Sequence, residues 1–352
     1  MNFEQTEERR MLADSLSRLL ADRCDPALRM KVAYAAPYHS PELWAALVEM
    51  GALHALVDED HGGFGGAGFD IATVFEALGA ALCPEPVLPA LLAARLLVAA
   101  GADAGPLLAG DLRYAVGLFE MDGTALDEIE TTADGGRLTG RKSVVYGGPG
   151  ADRFLIVARD GARLSLHEVA ASDAQVLPYA MIDGGGAAEV ILDAAPARLL
   201  MADAGAAVQD ALDAGALALS AEALGGMETA LALTVDYLKQ RRQFGRPIGS
   251  NQALQHRTVE LVTEIAQARS IVILAASRMG TADQSRSVSM CKHLCGRVAQ
   301  RVAEEAIQMH GGIAMTWEAP VSHYAKRLVM IDAQLGDADH HLHRVMAGLQ
   351  AV

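Results

Sequence analysis

Two short stretches of this chain gather groups that could hold an anion. The first is Arg241-Arg-Gln-Phe-Gly245-Arg-Pro-Ile-Gly249, followed by Asn251-Gln252-Ala-Leu-Gln255-His256. Arg241, Arg242 and Arg246 concentrate positive charge at a glycine-containing break between two helical patterns. Guanidinium groups pair with phosphate oxygens through charge-assisted hydrogen bonds. The stretch also stands before a helix N-terminus, where free N–H groups favour negative charge. A pyrophosphate is one natural partner; a solvated helix–helix loop is the other reading. The second stretch is Gln308-Met-His-Gly311-Gly312-Ile-Ala-Met-Thr316. A helix ends there at paired glycines, which allow positive φ and close backbone approach. Alone, such a pair also reads as an ordinary C-cap.

A third cluster is Asp337-Ala-Asp339-His340-His341-Leu-His343. Asp337 and His341 are four apart and share a helix face, which invites a metal. No His-Glu-x-x-His pattern accompanies them, so a polar helix terminus is the plainer reading. Asp337 follows a glycine and suits an N-cap; it is also a candidate general base. Cys291 and Cys295, again four apart, read as helix packing. The run His61-Gly-Gly-Phe-Gly-Gly-Ala-Gly68 has no accompanying Lys, Ser or Thr, so it reads as a loop rather than a phosphate cradle.

These groups need elements to position them. Residues 4–23 carry Met11, Leu12, Leu16, Leu19 and Leu20 in a helical stripe. Ser40-Pro41-Glu42 opens a helix that ends at Gly51, and further helices are expected near Asp70–Leu82 and up to Ala100. Between 111 and 200 the pattern turns to short apolar or alternating runs, such as Tyr114–Phe119, Arg137–Lys142, Arg153–Ala158, Arg163–Val169 and Ala188–Leu192. Asp193–Asp203 reads as a linker. From 206 onward four long amphipathic segments follow, the last spanning 318–349; their stripes must be buried against one another. The expected class is α+β, mostly α. Its parts are an N-terminal helical domain (1–110), a small middle β domain (111–200) and a C-terminal four-helix bundle (206–352).

Composition narrows the function. With 29 basic and 44 acidic side chains, the formal charge of −15 disfavours non-specific nucleic-acid binding and attachment to anionic membranes. No stretch reads as the roughly 18 apolar residues of a membrane span. The charged, periodic start MNFEQTEERRML is no signal peptide. Four cysteines imply no disulfide framework. A cytoplasmic protein is expected, with no nucleic-acid and no membrane partner.

Taken together and in this order, RRQFGRPIG and QMHGGIAMT resemble the acyl-CoA dehydrogenase family. So do Val57-Asp-Glu-Asp-His-Gly-Gly-Phe-Gly65, Glu76-Ala-Leu-Gly79 and Leu138-Thr-Gly-Arg-Lys142. The resemblance covers nearly the whole chain. It implies FAD lying between subunits, with both C-terminal turns cradling the nucleotide end of a neighbour's flavin. Arg241, Phe244, Gln252, Gln308, Gly311 and Gly312 are then the contact candidates. It also implies α,β-desaturation of an acyl-CoA thioester, with an electron-transfer flavoprotein as the usual acceptor. The catalytic carboxylate must be desolvated to titrate near working pH.

The departures from the family are as informative. The loop expected at the flavin ring reads Gly117-Leu-Phe-Glu-Met-Asp-Gly-Thr-Ala125, shortened and unlike the family pattern. The segment that normally reads aromatic-Ile-Thr/Ser is Ser143-Val-Val-Tyr-Gly-Gly-Pro149. Ala216 stands where a CoA-facing Arg is usual, and Gly215 at one of the two family locations of the catalytic Glu. The other location falls on Asp337 or Leu335, depending on the direction of counting. What serves a neighbour's flavin is kept, and what serves the chain's own is weakened. That pattern resembles the heteromeric (α2β2) dehydrogenases of steroid catabolism, and implies a paralogous partner subunit and a bulky, steroid-derived acyl group. Two alternatives stay open: a divergent homo-oligomer with Asp337 as base, and a flavin-free assembly protein of the same fold.

Overall fold

The computed structural model describes residues 6–121 and 125–350, without the side chains of residues 26–28 and 350. The first five residues of the charged N-terminal stretch, and positions 122–124 of the expected flavin-ring loop, lie outside the described residues. Six helices come first: α1 (Glu7–Arg23), α2 (Pro26–Val32), α3 (Pro41–Glu49), α4 (Gly68–Ala80), α5 (Val87–Ala99) and α6 (Gly105–Leu108). Eight strands follow: β1 (Tyr114–Gly117), β2 (Thr132–Asp134), β3 (Arg137–Tyr146), β4 (Arg153–Asp160), β5 (Arg163–Ala170), β6 (Gln175–Ala180), β7 (Gly186–Pro196) and β8 (Arg198–Met201). After α7 (Gly205–Gln240) comes a small hairpin of β9 (Arg242–Gln243) and β10 (Arg246–Pro247). The helices α8 (Gln252–Arg278), α9 (Gln284–His310), α10 (Pro320–Ala333) and α11 (Ala338–Gln350) complete the chain. The helix–strand–helix order is the one the sequence implies. Two compact units interleave along the chain: Met1–Pro26 with Gly68–Cys83 and Ala216–Val352, and Ala27–Ala67 with Pro84–Gly215.

The second of these units is built on one sheet, in the order β6-β7-β3-β2-β4-β5-β8, with β1 parallel to β4. Its core comprises Leu138, Val145, Phe154, Ile156, Ala158, Val169, Val190 and Leu192. The helix expected from Ser40-Pro41 is α3: Ser40 Oγ accepts the Leu43 N–H at 3.2 Å, and proline opens the first turn. The 193–203 linker is corrected. Its first residues end β7, and Arg198–Met201 pairs antiparallel with β5, where Arg198 meets Glu168 at 2.7 Å. An edge strand with half-exposed residues shows no alternation to read; its partner strand makes it.

The other unit is helical. α4 and α7 cross closely because Gly79 and Gly225 face each other's backbones. A Cβ on Gly79 would lie 1.9 Å from the Glu222 carbonyl oxygen, and one on Gly225 would lie 2.1 Å from that of Glu76. α9 buries Val288, Cys291, Cys295, Val298, Val302 and Ala306 along one face. The single helix expected over 318–349 is instead two, α10 and α11. The break at Gln334–Asp337 carries Leu335 at φ 56° and Gly336 at φ 95°. Lys292, fully buried on α9, holds it open by donating to the Asp332 and Gly336 carbonyls, both at 2.8 Å. α7 is also long and apolar enough to cross a membrane by length and composition, contrary to the sequence reading. It is mostly buried, as a core helix is.

Candidate functional site

The last turn of α7 leads directly into the basic hairpin. The Arg241 N–H donates to the Tyr237 carbonyl at 2.8 Å, and the Ile248 N–H returns to the Arg241 carbonyl at 2.9 Å. Between β9 and β10 the two-residue turn is Phe244-Gly245, at φ 53° and 78°. Positive φ at both positions marks a type I′ turn, whose first position suits Asn, Asp or Gly. Phe244 holds it against its own sterics, with a side chain fully exposed to solvent. A phenyl ring that is strained and wet gains nothing for the isolated chain.

Behind the hairpin, Asn251 precedes α8. Its side-chain amide donates to the Ile248 carbonyl at 2.9 Å, and its Oδ1 accepts from Arg246 at 3.1 Å. Gln252 is the first residue of α8. At the end of α9 the Gly311 N–H closes on the Ile307 carbonyl, and Gly311 takes φ 70°. A Cβ on Gly311 or Gly312 would meet nothing within 4 Å. These glycines leave open space rather than filling a packed cap.

The structure brings the two turns together. The Tyr237 ring at the end of α7 stacks on His310 at the end of α9, with centroids 4.4 Å apart and planes 23° apart. Thr258 Oγ1 on α8 also reaches Met309 Sδ at 3.8 Å. Arg241, Phe244, Gln252, Gln308, Gly311 and Gly312 therefore gather at one end of the helical unit, all exposed. The side chains of Arg241, Arg242, Gln252 and Gln308 make no hydrogen bond or ion pair within the described residues. Cations and amides presented without internal partners, beside open backbone, suit an external diphosphate.

The β-domain segments look different. Gly117–Met121 is tied down by Glu120, whose carboxylate accepts from Lys142 Nζ at 2.7 Å, from the Thr131 hydroxyl at 2.7 Å, and from the Thr131 and Glu130 N–H groups at 2.9 Å. Burial alone would raise the Glu120 carboxyl; these hydrogen bonds outweigh it and hold the group down at about 2. Lys142 is fully buried and also donates to the Leu118 carbonyl at 3.0 Å. On the same strand, Ser143 Oγ donates to Glu189 at 2.7 Å, and Glu189 also takes Arg141 at 2.9 Å. Val144 sits at a bulge at φ 51°. The polar groups of Ser143, Lys142 and Glu120 are thus engaged within the chain.

Asp337 lies at the start of α11. Its Oδ1 accepts the His340 N–H at 2.8 Å, an N-cap contact, and its side chain is exposed. Leu335, the other position reached by counting, is buried. His341 is also buried; its Nε2 lies 3.1 Å from the Leu335 carbonyl and its Nδ1 3.3 Å from Ser289 Oγ. Burial, with the nearby charges of Lys292 and Arg344, pushes His341 down to about 3. Among the described residues, no three His, Cys, Asp or Glu side chains converge as metal ligands. Gly215 and Ala216 lie buried on α7 and offer neither carboxylate nor guanidinium. Cys291 and Cys295 are buried with sulfurs 3.9 Å apart. Sequence reasoning missed Tyr237 and His310. The available signal was an aromatic ring one helical turn before Arg241 and another directly before Gly311.

Comparison with known proteins accords with this picture. The acyl-CoA dehydrogenase N-terminal domain family matches residues 6–104, and the acyl-CoA dehydrogenase C-terminal domain family matches residues 204–349. The chain is similar to acyl-CoA dehydrogenase IpdE2 of Mycobacterium tuberculosis, 34% identical over 91% of each chain. Among solved structures, it resembles the Tcur3481-Tcur3483 steroid ACAD (G363A variant) at TM-score 0.90 and 28% identity, over 98% of this chain and 99% of that one. It also resembles the ChsE4-ChsE5 complex of M. tuberculosis at TM-score 0.90 and 26% identity, over the whole of both chains. This chain belongs to the acyl-CoA dehydrogenase family of FAD-dependent oxidoreductases.

Proposed function

We propose that the chain is one subunit of a heteromeric acyl-CoA dehydrogenase and completes the FAD site of a paralogous partner. FAD, when bound, supplies the hydride acceptor for α,β-desaturation of an acyl-CoA thioester. This chain's share is binding and orientation. Arg241 and Arg242 pair with diphosphate oxygens, Gln252 and Gln308 offer amides, and Gly311 and Gly312 admit the backbone. The exposed Phe244 lays an apolar face against the nucleotide or the partner. The observation that carries this reading is the contrast in engagement. The nucleotide-end groups stand exposed and unpartnered, whereas Glu120, Lys142 and Ser143 are bonded within the β domain. The segment beside them that in the family reads aromatic-Ile-Thr/Ser is here Ser143-Val-Val-Tyr-Gly-Gly-Pro149. Similarity to a steroid ACAD and to a two-protein complex supports a bulky, steroid-derived acyl group and a heteromer. An electron-transfer flavoprotein is the expected acceptor.

The test is the visible spectrum of the chain purified alone and together with a co-encoded paralogue. The expected result is flavin absorbance only in the joint preparation, with fewer flavins than chains. A homomer that holds one flavin per chain and oxidises acyl-CoA would overturn the subunit reading. In that homomer, loss of turnover with flavin retained in Asp337→Ala would assign the base to Asp337. Colourless preparations in both cases would leave a flavin-free assembly protein.

A further inference from the structure

We infer that Tyr237 and His310 are positioning residues, their stacked rings setting the separation between the basic hairpin and the Gly-Gly turn. This rests on the nucleotide-binding reading of those two turns and adds to it how they are kept in register. Each ring stands in the last turn of its helix, immediately behind one turn. Tyr237 carries the carbonyl that receives the Arg241 N–H at 2.8 Å, and His310 is bonded directly to Gly311. The centroids are 4.4 Å apart with planes 23° apart, at the short edge of the range for attractive stacked rings.

The histidine is not free to swing. A carbonyl oxygen only accepts, so His310 Nδ1 must donate to the Ala306 carbonyl, 2.8 Å away. That bond fixes both ring orientation and tautomer. Burial lowers the affinity of the His310 ring for a second proton, and this outweighs the opposing effect of its bond to the Ala306 carbonyl. Further back, α8 is tied to α9 by the Arg257–Glu305 ion pair at 2.6 Å, whereas the ring stack stands directly behind the two turns. The Thr258–Met309 contact at 3.8 Å involves a sulfur acceptor and lies one residue further back. A diphosphate that must touch Arg241 and the glycine backbone at once tolerates little looseness between them.

The experiment measures equilibrium FAD affinity of the chain in the assembly it forms, by flavin fluorescence. The variants are His310→Ala, Tyr237→Ala, their double, and the ring-retaining His310→Phe, with Arg241→Ala as the control for the site. Melting temperature of each apo form is recorded separately. Each Ala variant is expected to weaken FAD by about five- to tenfold at temperatures well below melting, from the usual strength of an aromatic pair. The double should be no worse than either single, because both remove the same contact. His310→Phe should stay within about twofold, since the stack survives without the imidazole nitrogens. Wild-type affinity in both Ala variants, with Arg241→Ala weakened, would overturn the positioning role and leave the site standing. A loss in His310→Phe equal to that in His310→Ala would also overturn it, by making the imidazole nitrogens rather than the stack what matters. If Arg241→Ala binds FAD as wild type does, the nucleotide site itself falls, and this inference with it.

Discussion

Phe244 and Val144 both hold a bulky side chain at positive φ, at 53° and 51°, yet their surroundings are opposites. Phe244 tips a hairpin, following Arg241 and Arg242, whose side chains have no partner among the described residues, and its ring lies wholly in solvent. Val144 sits on a bulge whose neighbours are tied into the sheet: Ser143 to Glu189, and Lys142 to Glu120. Strain at a left-handed position costs about 1–2 kcal/mol and persists where surrounding structure or function retains it. In the hairpin, nothing among the described residues explains its retention, and the proposed nucleotide or partner contact would. In the sheet, the internal bonds suffice. Family membership alone does not separate two such sites; the state of their polar groups does.

Substitutions on the two sides test this contrast. The largest effect belongs to the sheet. Lys142→Met leaves the Glu120 carboxylate without its buried counter-charge, and should cost about 3–5 kcal/mol of stability in urea titration. A loss below about 1 kcal/mol would mean that the pair is not what fixes the segment. Of similar size is an acid effect in the helical unit. His341 is held down to about 3, against 6.5 for a free imidazole, so below pH 6.5 the unfolded chain takes up a proton that the folded one refuses. Its contribution is complete above pH 6.5 and is lost as pH falls toward 3. At about 1.4 kcal/mol per pH unit, the total is on the order of 5 kcal/mol. His341→Asn should flatten that part of the stability–pH curve; an unchanged curve would refute the assignment.

Arg241→Ala should leave stability nearly unchanged, because its side chain has no internal partner. It should weaken FAD by about 10- to 100-fold, the usual worth of a charge-assisted bond of 1.5–3 kcal/mol. Equal flavin occupancy in wild type and variant would end the nucleotide reading. The sharpest comparison is the pair Val144→Gly and Phe244→Gly. Both relieve left-handed strain, for a net gain of about 0.5–1 kcal/mol after the entropy of glycine. Only Phe244→Gly should lower flavin affinity. If both variants lower it, or neither does, the two regions do not differ in the way drawn here. Comparable in size is Asp337→Ala, which removes the cap on the His340 N–H and should cost about 1 kcal/mol by chemical denaturation.

Much of this was legible in the chain alone. Helical stripes such as Leu261, Ile265, Ala268 and Val272 are buried as their spacing requires. Local chemistry also announced α3, since Ser40 and Pro41 act within one turn. β8 and the break between α10 and α11 were not legible, and for the same reason. Arg198–Met201 becomes a strand because β5 offers it an edge. Gln334–Asp337 leaves the helix where Lys292, some forty residues earlier, takes the Asp332 and Gly336 carbonyls. Neither partner is local in sequence.

The residues at 241–252 and 308–312 and the family to which they belong were fixed by residue type and order, because charge, amide and glycine act through their own chemistry wherever they stand. Which of those groups remain unengaged, and that Tyr237 and His310 meet between them, only the folded chain decided. Engagement is a matter of distance between remote segments, and distance is set by how α7, α8 and α9 pack.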